Sequence, residues 1–501
     1  MTGKVRSLGV HGIRGYGVSV ECFVSTGLTN FDIVGLGDTA VKEARDRVRA
    51  AIKNCGYSFP SGRITVNLAP ADTKKGGTVY DLPILLGILA ATETISAPPA
   101  DAAFIGELSL SGEVRGVNGA LSMALAAERE GIKRLFLPAD NAREAAFAEG
   151  VEVYPVEHVS QLMEHLYGDT PIEPVTAPPF SGEYGGALDF AEVKGQSNVR
   201  RAMEICASGS HNLLMSGPPG SGKSLAAARL PSILPDMSRE EAMETTEIHS
   251  ISGLTGKDHP IVTQRPFRAP HHTVSAVGLS GGGTNPKPGA ISLAHNGVLF
   301  LDELPEFSRE TLEILRQPME NGEVTISRVS ASVTYPSRFM LVCAMNPWRC
   351  GWYGHPSGRC TCSEASVRAY KGRISGPLLD RIDLFVNVAS LEYDELREKP
   401  NGEDSATIRK RVNAARKIQQ ERFAGTSVGC NAYMGSRELA KYCQLDAKGD
   451  SMLRSAYDRL GLTARSHDKI LRVARTIADL AGSESIQARH IAEALQFREL
   501  N

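Results

Sequence analysis

The sequence predicts an α/β protein with a helical C-terminal region, on three observations. The short apolar run His211-Asn-Leu-Leu-Met-Ser216 leads into a glycine-rich loop and then into the helix-forming run Ser224-Leu-Ala-Ala-Ala-Arg-Leu230. Two further apolar runs, residues 297–301 and 339–345, each end on polar side chains, as buried strands do where they leave a sheet. From residue 405 onward the apolar spacing is helical, over 405–423, 436–442, 448–460, 466–481 and 486–497.

The domain plan follows from one seam. Residues 168–187 are dense in proline and glycine and carry no apolar period, so they read as a linker. This divides the chain into an N-terminal domain (1–167), a central core (188–391) and a helical lid (392–501). A chain of 501 residues has room for these parts. At 42% hydrophobic and 22% charged it is ordinary globular material, and a net charge of −2 confines any nucleic-acid contact to local patches. The nine irregularly spaced cysteines do not read as a disulfide framework. Without a signal-peptide core or an apolar run long enough to span a bilayer, the expected location is cytoplasmic, with no membrane partner.

The loop after the first strand, Gly217-Pro218-Pro219-Gly220-Ser221-Gly222-Lys223-Ser224, fits the P-loop pattern G-x-x-x-x-G-K-[ST]. Its backbone N–H groups suit the β- and γ-phosphates of ATP, Lys223 adds positive charge there, and the Ser224 hydroxyl is a ligand for Mg²⁺. The second run ends in Asp302-Glu303, the Walker B pattern. Asp302 is expected to hold Mg²⁺, and Glu303 to act as general base on the attacking water. The third run ends in Asn346, whose amide is expected to lie between the other two strand ends and orient that water.

These motifs resemble AAA+ ATPases, in which Asn346 is the sensor 1 residue. Val193-Lys-Gly-Gln196 resembles the box that touches adenine, with Val193 in contact. Ser375-Gly-Pro-Leu-Leu-Asp-Arg381 resembles the arginine-finger segment, and Arg465 resembles sensor 2 at the start of a lid helix. A finger acts on a neighbour's nucleotide, so the resemblance implies a homo-hexameric ring. Arg265-Pro-Phe-Arg-Ala-Pro-His-His272-Thr, Gly289-Ala-Ile-Ser-Leu-Ala-His295, Leu301-Asp-Glu-Leu-Pro-Glu-Phe307 and Leu471-Arg-Val-Ala-Arg-Thr-Ile-Ala-Asp-Leu480 are similar to the ComM/YifB family of magnesium-chelatase-like AAA+ proteins, across essentially the whole chain. The resemblance implies an insert in the second helix, assigned to residues 265–288, and a hairpin before sensor 1. Residues 323–335 alternate as two short strands, with Arg328 near the tip as a candidate phosphate contact. His271 and His272 read as packing and hydrogen-bonding groups at the insert's base, with metal ligation as the alternative.

The N-terminal stretches Asn67-Leu-Ala-Pro-Ala-Asp-Thr-Lys-Lys-Gly-Gly-Thr-Val-Tyr-Asp-Leu-Pro83 and Gly106-Glu-Leu-Ser-Leu-Ser-Gly-Glu-Val-Arg-Gly-Val-Asn-Gly119 resemble the proteolytic domain of Lon, a ribosomal S5 domain 2-like α/β fold. Its Ser–Lys dyad falls at Val79 and Leu121, which can serve neither as nucleophile nor as base; Thr78 and Ser122 lie one residue away. Lys74, Lys75 and Arg63 are read as solvated surface cations, a small basic patch at most. Cys350, Cys360 and Cys362 are candidate ligands for a structural Zn²⁺, with His355 or a water as the fourth, because Trp348 stands where the family commonly has cysteine.

The function implied by the resemblance is an ATP-dependent hexameric DNA motor. It would act on single-stranded or branched DNA, alongside recombination proteins, to promote branch migration in homologous recombination. The alternative is a chelatase-like ATPase that remodels a protein partner. The nucleotide motifs serve both.

Overall fold

The computed structural model describes residues 2–182, 185–283, 286–328, 331–347, 370, 372–390 and 402–498. Three hydrophobic clusters organise them: one drawn from residues between Val5 and Ile172, and two, drawn from residues between Phe190 and Phe497 and between Leu214 and Phe385, that together make a second core around one sheet.

In the first, the strands Thr2–His11 and Arg14–Ser25 pair antiparallel, from Thr2 opposite Phe23 to His11 opposite Arg14. Arg63–Ala69 extends the sheet antiparallel, and Asn30–Val34 lies parallel at its edge. The helix Asp81–Ala91 is apolar on nearly every side, and such a helix must be covered all round. It lies so close to the first strand that a Cβ on Gly3 would fall 2.2 Å from the Gly87 carbonyl oxygen. A parallel sheet of Ala102–Phe104, Arg134–Pro138 and Glu152–Val156 completes this domain.

The second core holds a five-stranded parallel sheet. Across it run Phe267–Arg268, Val298–Leu301, Met340–Met345, Leu213–Ser216 and Leu384–Asn387. Numbered along the chain, that order is 2-3-4-1-5. The chain reverses direction across the sheet beside the first strand, and ligands of open parallel sheets bind in that crevice, at the carboxyl ends of the strands. The C-terminal helices Ser405–Arg422, Ser436–Tyr442, Ala447–Leu460, Ala464–Leu480 and Ala488–Gln496 match the expected segments to within two residues. They share their core with the sheet's own helix Ser197–Gly209. No helix among the described residues is long and apolar enough to cross a membrane.

Three expectations change. The insert does not begin at Arg265. Arg265 donates to the Pro235 and Asn296 carbonyl oxygens at 2.7 and 2.8 Å, and Phe267–Arg268 is the edge strand of the sheet. Within the stretch assigned to the insert, the short antiparallel pair Gly281–Gly282 and Lys287–Pro288 stands between the helices Ala276–Ser280 and Ala290–Leu293. Lys75 is not on the surface but fully buried, and burial lowers its pKa. Arg63 opens a strand and pairs with Asp32 at 3.1 Å, so the three cations form no common patch. The proline-rich segment is held down at several of its described residues. Ile172 is buried, Val175 donates to the Val153 carbonyl oxygen at 2.8 Å, and Gly182 accepts from the Met237 N–H at 3.3 Å.

The two cores meet through the helix Ala120–Arg129 against the helix Arg239–Ile251. Gly119 N–H donates to the Ser250 carbonyl oxygen at 3.2 Å, Thr255 donates to Glu144 at 3.0 Å, and Ser122 donates to Glu247 at 3.3 Å. Burial pushes Glu247 up to about 7 from the ordinary 4.5. A raised carboxyl pKa favours the packed state fully below pH 4.5, and that contribution is lost as pH rises through about 7. Glu247→Gln is therefore expected to raise stability at pH 8 by about 1–2 kcal/mol and to flatten the pH dependence, as read by thermal unfolding at pH 5.5 and 8.

Candidate nucleotide site

The P-loop runs from the end of Leu213–Ser216 into the helix Lys223–Arg229. Gly220 and Gly222 take φ of +77° and +86°, which glycine adopts without strain. Gly217 leaves no room for a side chain, since a Cβ there would lie 2.3 Å from the Val388 carbonyl oxygen. Lys223 is folded over its own loop. Its Nζ donates to the carbonyl oxygens of Gly217 and Pro218 at 2.7 and 2.8 Å, and to Asn346 Oδ1 at 3.2 Å. Burial lowers its pKa. Ser224 Oγ donates to Asp302 Oδ2 at 2.5 Å, so the two residues expected at Mg²⁺ already adjoin. A hydroxyl and a carboxylate are the oxygen donors a hard divalent cation takes, so the residues fit that ion.

Glu303 follows Asp302 with a φ of +52°, a left-handed conformation that costs a side-chain-bearing residue about 1–3 kcal/mol and that clusters at functional sites. Its N–H is held by Asp302 Oδ1 at 2.9 Å, and its carboxylate meets His272 Nδ1 at 3.2 Å. The fold thus brings Lys223, Ser224, Asp302, Glu303 and Asn346 to one end of the sheet.

Val193 is buried in the core beside Phe190. The polar group of that segment that reaches the P-loop is Gln196, whose amide donates to the Ser221 carbonyl oxygen at 2.6 Å and to that of Ala389 at 3.3 Å. This role is not legible in the sequence, and for His272, expected to hydrogen-bond, the sequence does not name Glu303 as the partner. A turn signal at Gly195-Gln196, where Gln196 takes a φ of +51°, was the available clue to the first.

Arg381 and Arg465 lie elsewhere. Arg381 precedes the strand Leu384–Asn387, while Val388, beyond that strand, donates to Ser216 at the P-loop end. Four strand residues span roughly 13 Å, so Arg381 sits at the opposite end of the sheet from its own P-loop. Arg465 joins it there, 3.6 Å from Asp380, and both arginines line one cavity of about 660 Å³. Lys469 anchors this corner, donating to the carbonyl oxygens of Asp380 and, at 2.8 Å, Ile382; burial lowers its pKa to about 8.

The N-terminal positions compared with the Lon dyad, Val79 and Leu121, are both buried. Their neighbours Thr78 and Ser122 donate to the carboxylates of Glu107 and Glu247. Cys350, Cys360, Cys362 and His355 lie outside the described residues, as does the Arg328 side chain. Among the described residues no group of three or more His, Cys, Asp or Glu is placed to hold a metal.

Comparison with known proteins bears on this architecture. Family models described as magnesium chelatase, subunit ChlI, match residues 189–396 and, for the C-terminal part, 402–498; a third, subunit ChlI of Mg-chelatase, matches residues 20–141. Competence protein ComM of Haemophilus influenzae is 44% identical over 497 residues, covering 98% of this chain and 96% of that protein. YifB of Escherichia coli is 43% identical, with the same coverage of each. The magnesium-chelatase 38 kDa subunit of Cereibacter sphaeroides is 24% identical over 61% of this chain and 98% of its own length. With a parallel sheet carrying a P-loop, a Walker B pair and a sensor strand, the chain belongs to the ComM/YifB family of magnesium-chelatase-like AAA+ ATPases.

Proposed function

We propose that this protein is a ring-forming, ATP-driven DNA motor, a homo-hexamer that promotes branch migration during homologous recombination in the cytoplasm. The relative named a competence protein supports a role in DNA uptake and exchange. The observation that carries the reading is the surface of the hairpin formed by Glu323–Arg328 and Ala331–Pro336. One face, Val324, Ile326, Val333 and Tyr335, is buried. The other presents paired hydroxyls, Thr325 with Thr334 at 3.0 Å and Ser327 with Ser332 at 3.3 Å. Such a ladder suits phosphate and sugar oxygens and carries no base code, as a motor indifferent to sequence requires. The hairpin is tied to the insert, because Tyr335 donates to the Pro286 carbonyl oxygen at 2.8 Å, and Lys287 stands exposed beside it.

In this reading Lys223 exchanges the loop carbonyls for the β- and γ-phosphates. Ser224 and Asp302 would hold Mg²⁺, which when bound neutralises charge on the phosphate oxygens. Glu303 accepts the proton of the attacking water, Asn346 orients that water, and Arg381 and Arg465 of a neighbouring subunit stabilise charge on the γ-phosphate. His272, in the segment that leads from the edge strand Phe267–Arg268 to the helix Ala276–Ser280, touches Glu303 and so links the DNA-facing loop to hydrolysis.

ATP turnover and strand displacement should be measured with and without forked or three-stranded DNA. Stimulated turnover with displacement of the labelled strand is expected. Verified hexamers that hydrolyse ATP without either response would overturn the motor and favour a chelatase-like ATPase that remodels a protein.

A further inference from the structure

Glu320 is a charged group that the proposed mechanism leaves unused. It lies in the helix Arg316–Asn321, and its carboxylate pairs with the Arg381 guanidinium. The Arg381 side chain is 10% exposed and that of Glu320 is 54% exposed. Arg381 also donates through Nη1 to the Pro377 carbonyl oxygen, while its buried Nε has no hydrogen-bond partner among the described residues. Arg465 lines the same cavity and lies 3.6 Å from Asp380, while Arg316 pairs with Glu313 at 2.7 Å. Each guanidinium of this corner thus faces a carboxylate of its own subunit, and the one that faces Arg381 is Glu320.

The position of Glu320 matters as much as its charge. Gly322, with a φ of +71°, ends its helix and turns the chain directly into the hairpin. The foot of the hairpin is closed by a hydrogen bond from Ser337 N–H to the Gly322 carbonyl oxygen at 2.8 Å. Glu320 is thus fixed to the element proposed to touch DNA, while Arg381 is fixed by Lys469 and Asn212 to the end of the sheet. Tilting the hairpin would carry the carboxylate away from the guanidinium.

We infer that Glu320 is a positioning residue for Arg381: it holds the guanidinium in the unengaged subunit and releases it to the neighbour's γ-phosphate when the hairpin moves on DNA. This rests on the reading of Arg381 as a finger. Glu320 is the half-exposed member of the pair, so its carboxylate can give way to water and leave the guanidinium to a triphosphate.

The test compares ATP turnover of the full-length protein, with and without single-stranded DNA, for the parent, Glu320→Gln, Glu320→Asp, Arg381→Ala and the Glu320→Gln/Arg381→Ala double variant. Glu320→Gln is expected to raise basal turnover about fivefold and to shrink the response to DNA. Glu320→Asp, which keeps the charge, should stay near the parent. In the Arg381→Ala background Glu320→Gln should change nothing, since the two act as one unit. If Arg381→Ala is inert but Glu320→Gln leaves basal turnover unchanged or lowers it, the latch is wrong and the finger stands. If Arg381→Ala retains full turnover, the finger reading itself has failed.

Discussion

Replacing Arg381 with alanine is expected to slow ATP turnover by about 10³–10⁵-fold while nucleotide binding stays close to that of the parent. The size follows from chemistry. Charge spreads over the γ-phosphate oxygens in the transition state, and a planar guanidinium neutralises it where a solvated lysine could not match the geometry. The sparing of binding follows from the fold. Arg381 lies a strand's length from its own P-loop, so its loss leaves that subunit's Lys223, Ser224 and Asp302 untouched. Turnover at saturating ATP, set beside the affinity for a fluorescent nucleotide, separates the two effects.

Glu303→Gln is expected to lower turnover by about 10²–10⁴-fold and to leave ATP bound. The amide is nearly isosteric but cannot accept the proton of the attacking water. The backbone at Glu303 is already in a left-handed conformation, held there by the Asp302 carboxylate, and the His272 ring aims its carboxylate. The substitution should therefore change the chemistry without moving the loop. Single-turnover measurements would show bound ATP that persists.

The residues of this site divide by how far their partners lie in sequence. Gly217 to Ser224, Asp302 and Asn346 were legible because each closes a short apolar strand, and a P-loop fixes what the neighbouring strand ends must do. The lid helices were legible because their amphipathic period is long. Phe267–Arg268 was not, since a two-residue strand shows no alternation and owes its place to pairing with Val298 and Leu299. Sequence reading gives His272 as a hydrogen-bonding group but not its partner Glu303, and it offers no sign of the contacts Gln196–Ser221 and Glu320–Arg381, because no local spacing announces partners so separated along the chain. Lys75 was misread because a cation beside two glycines looks solvated, whereas the fold buries it.

The central claim is that each nucleotide site is built from two subunits, with Glu303 on one side and Arg381 on the other. It is tested most directly by mixing the Glu303→Gln and Arg381→Ala proteins, each nearly inert alone. In a mixed ring, a Glu303→Gln subunit presents an intact Arg381 to the intact site of an Arg381→Ala subunit, so ATP turnover should reappear and peak near an equal mixture. Turnover that stays at the level of the separate variants, in rings shown to have exchanged subunits, would contradict a shared site.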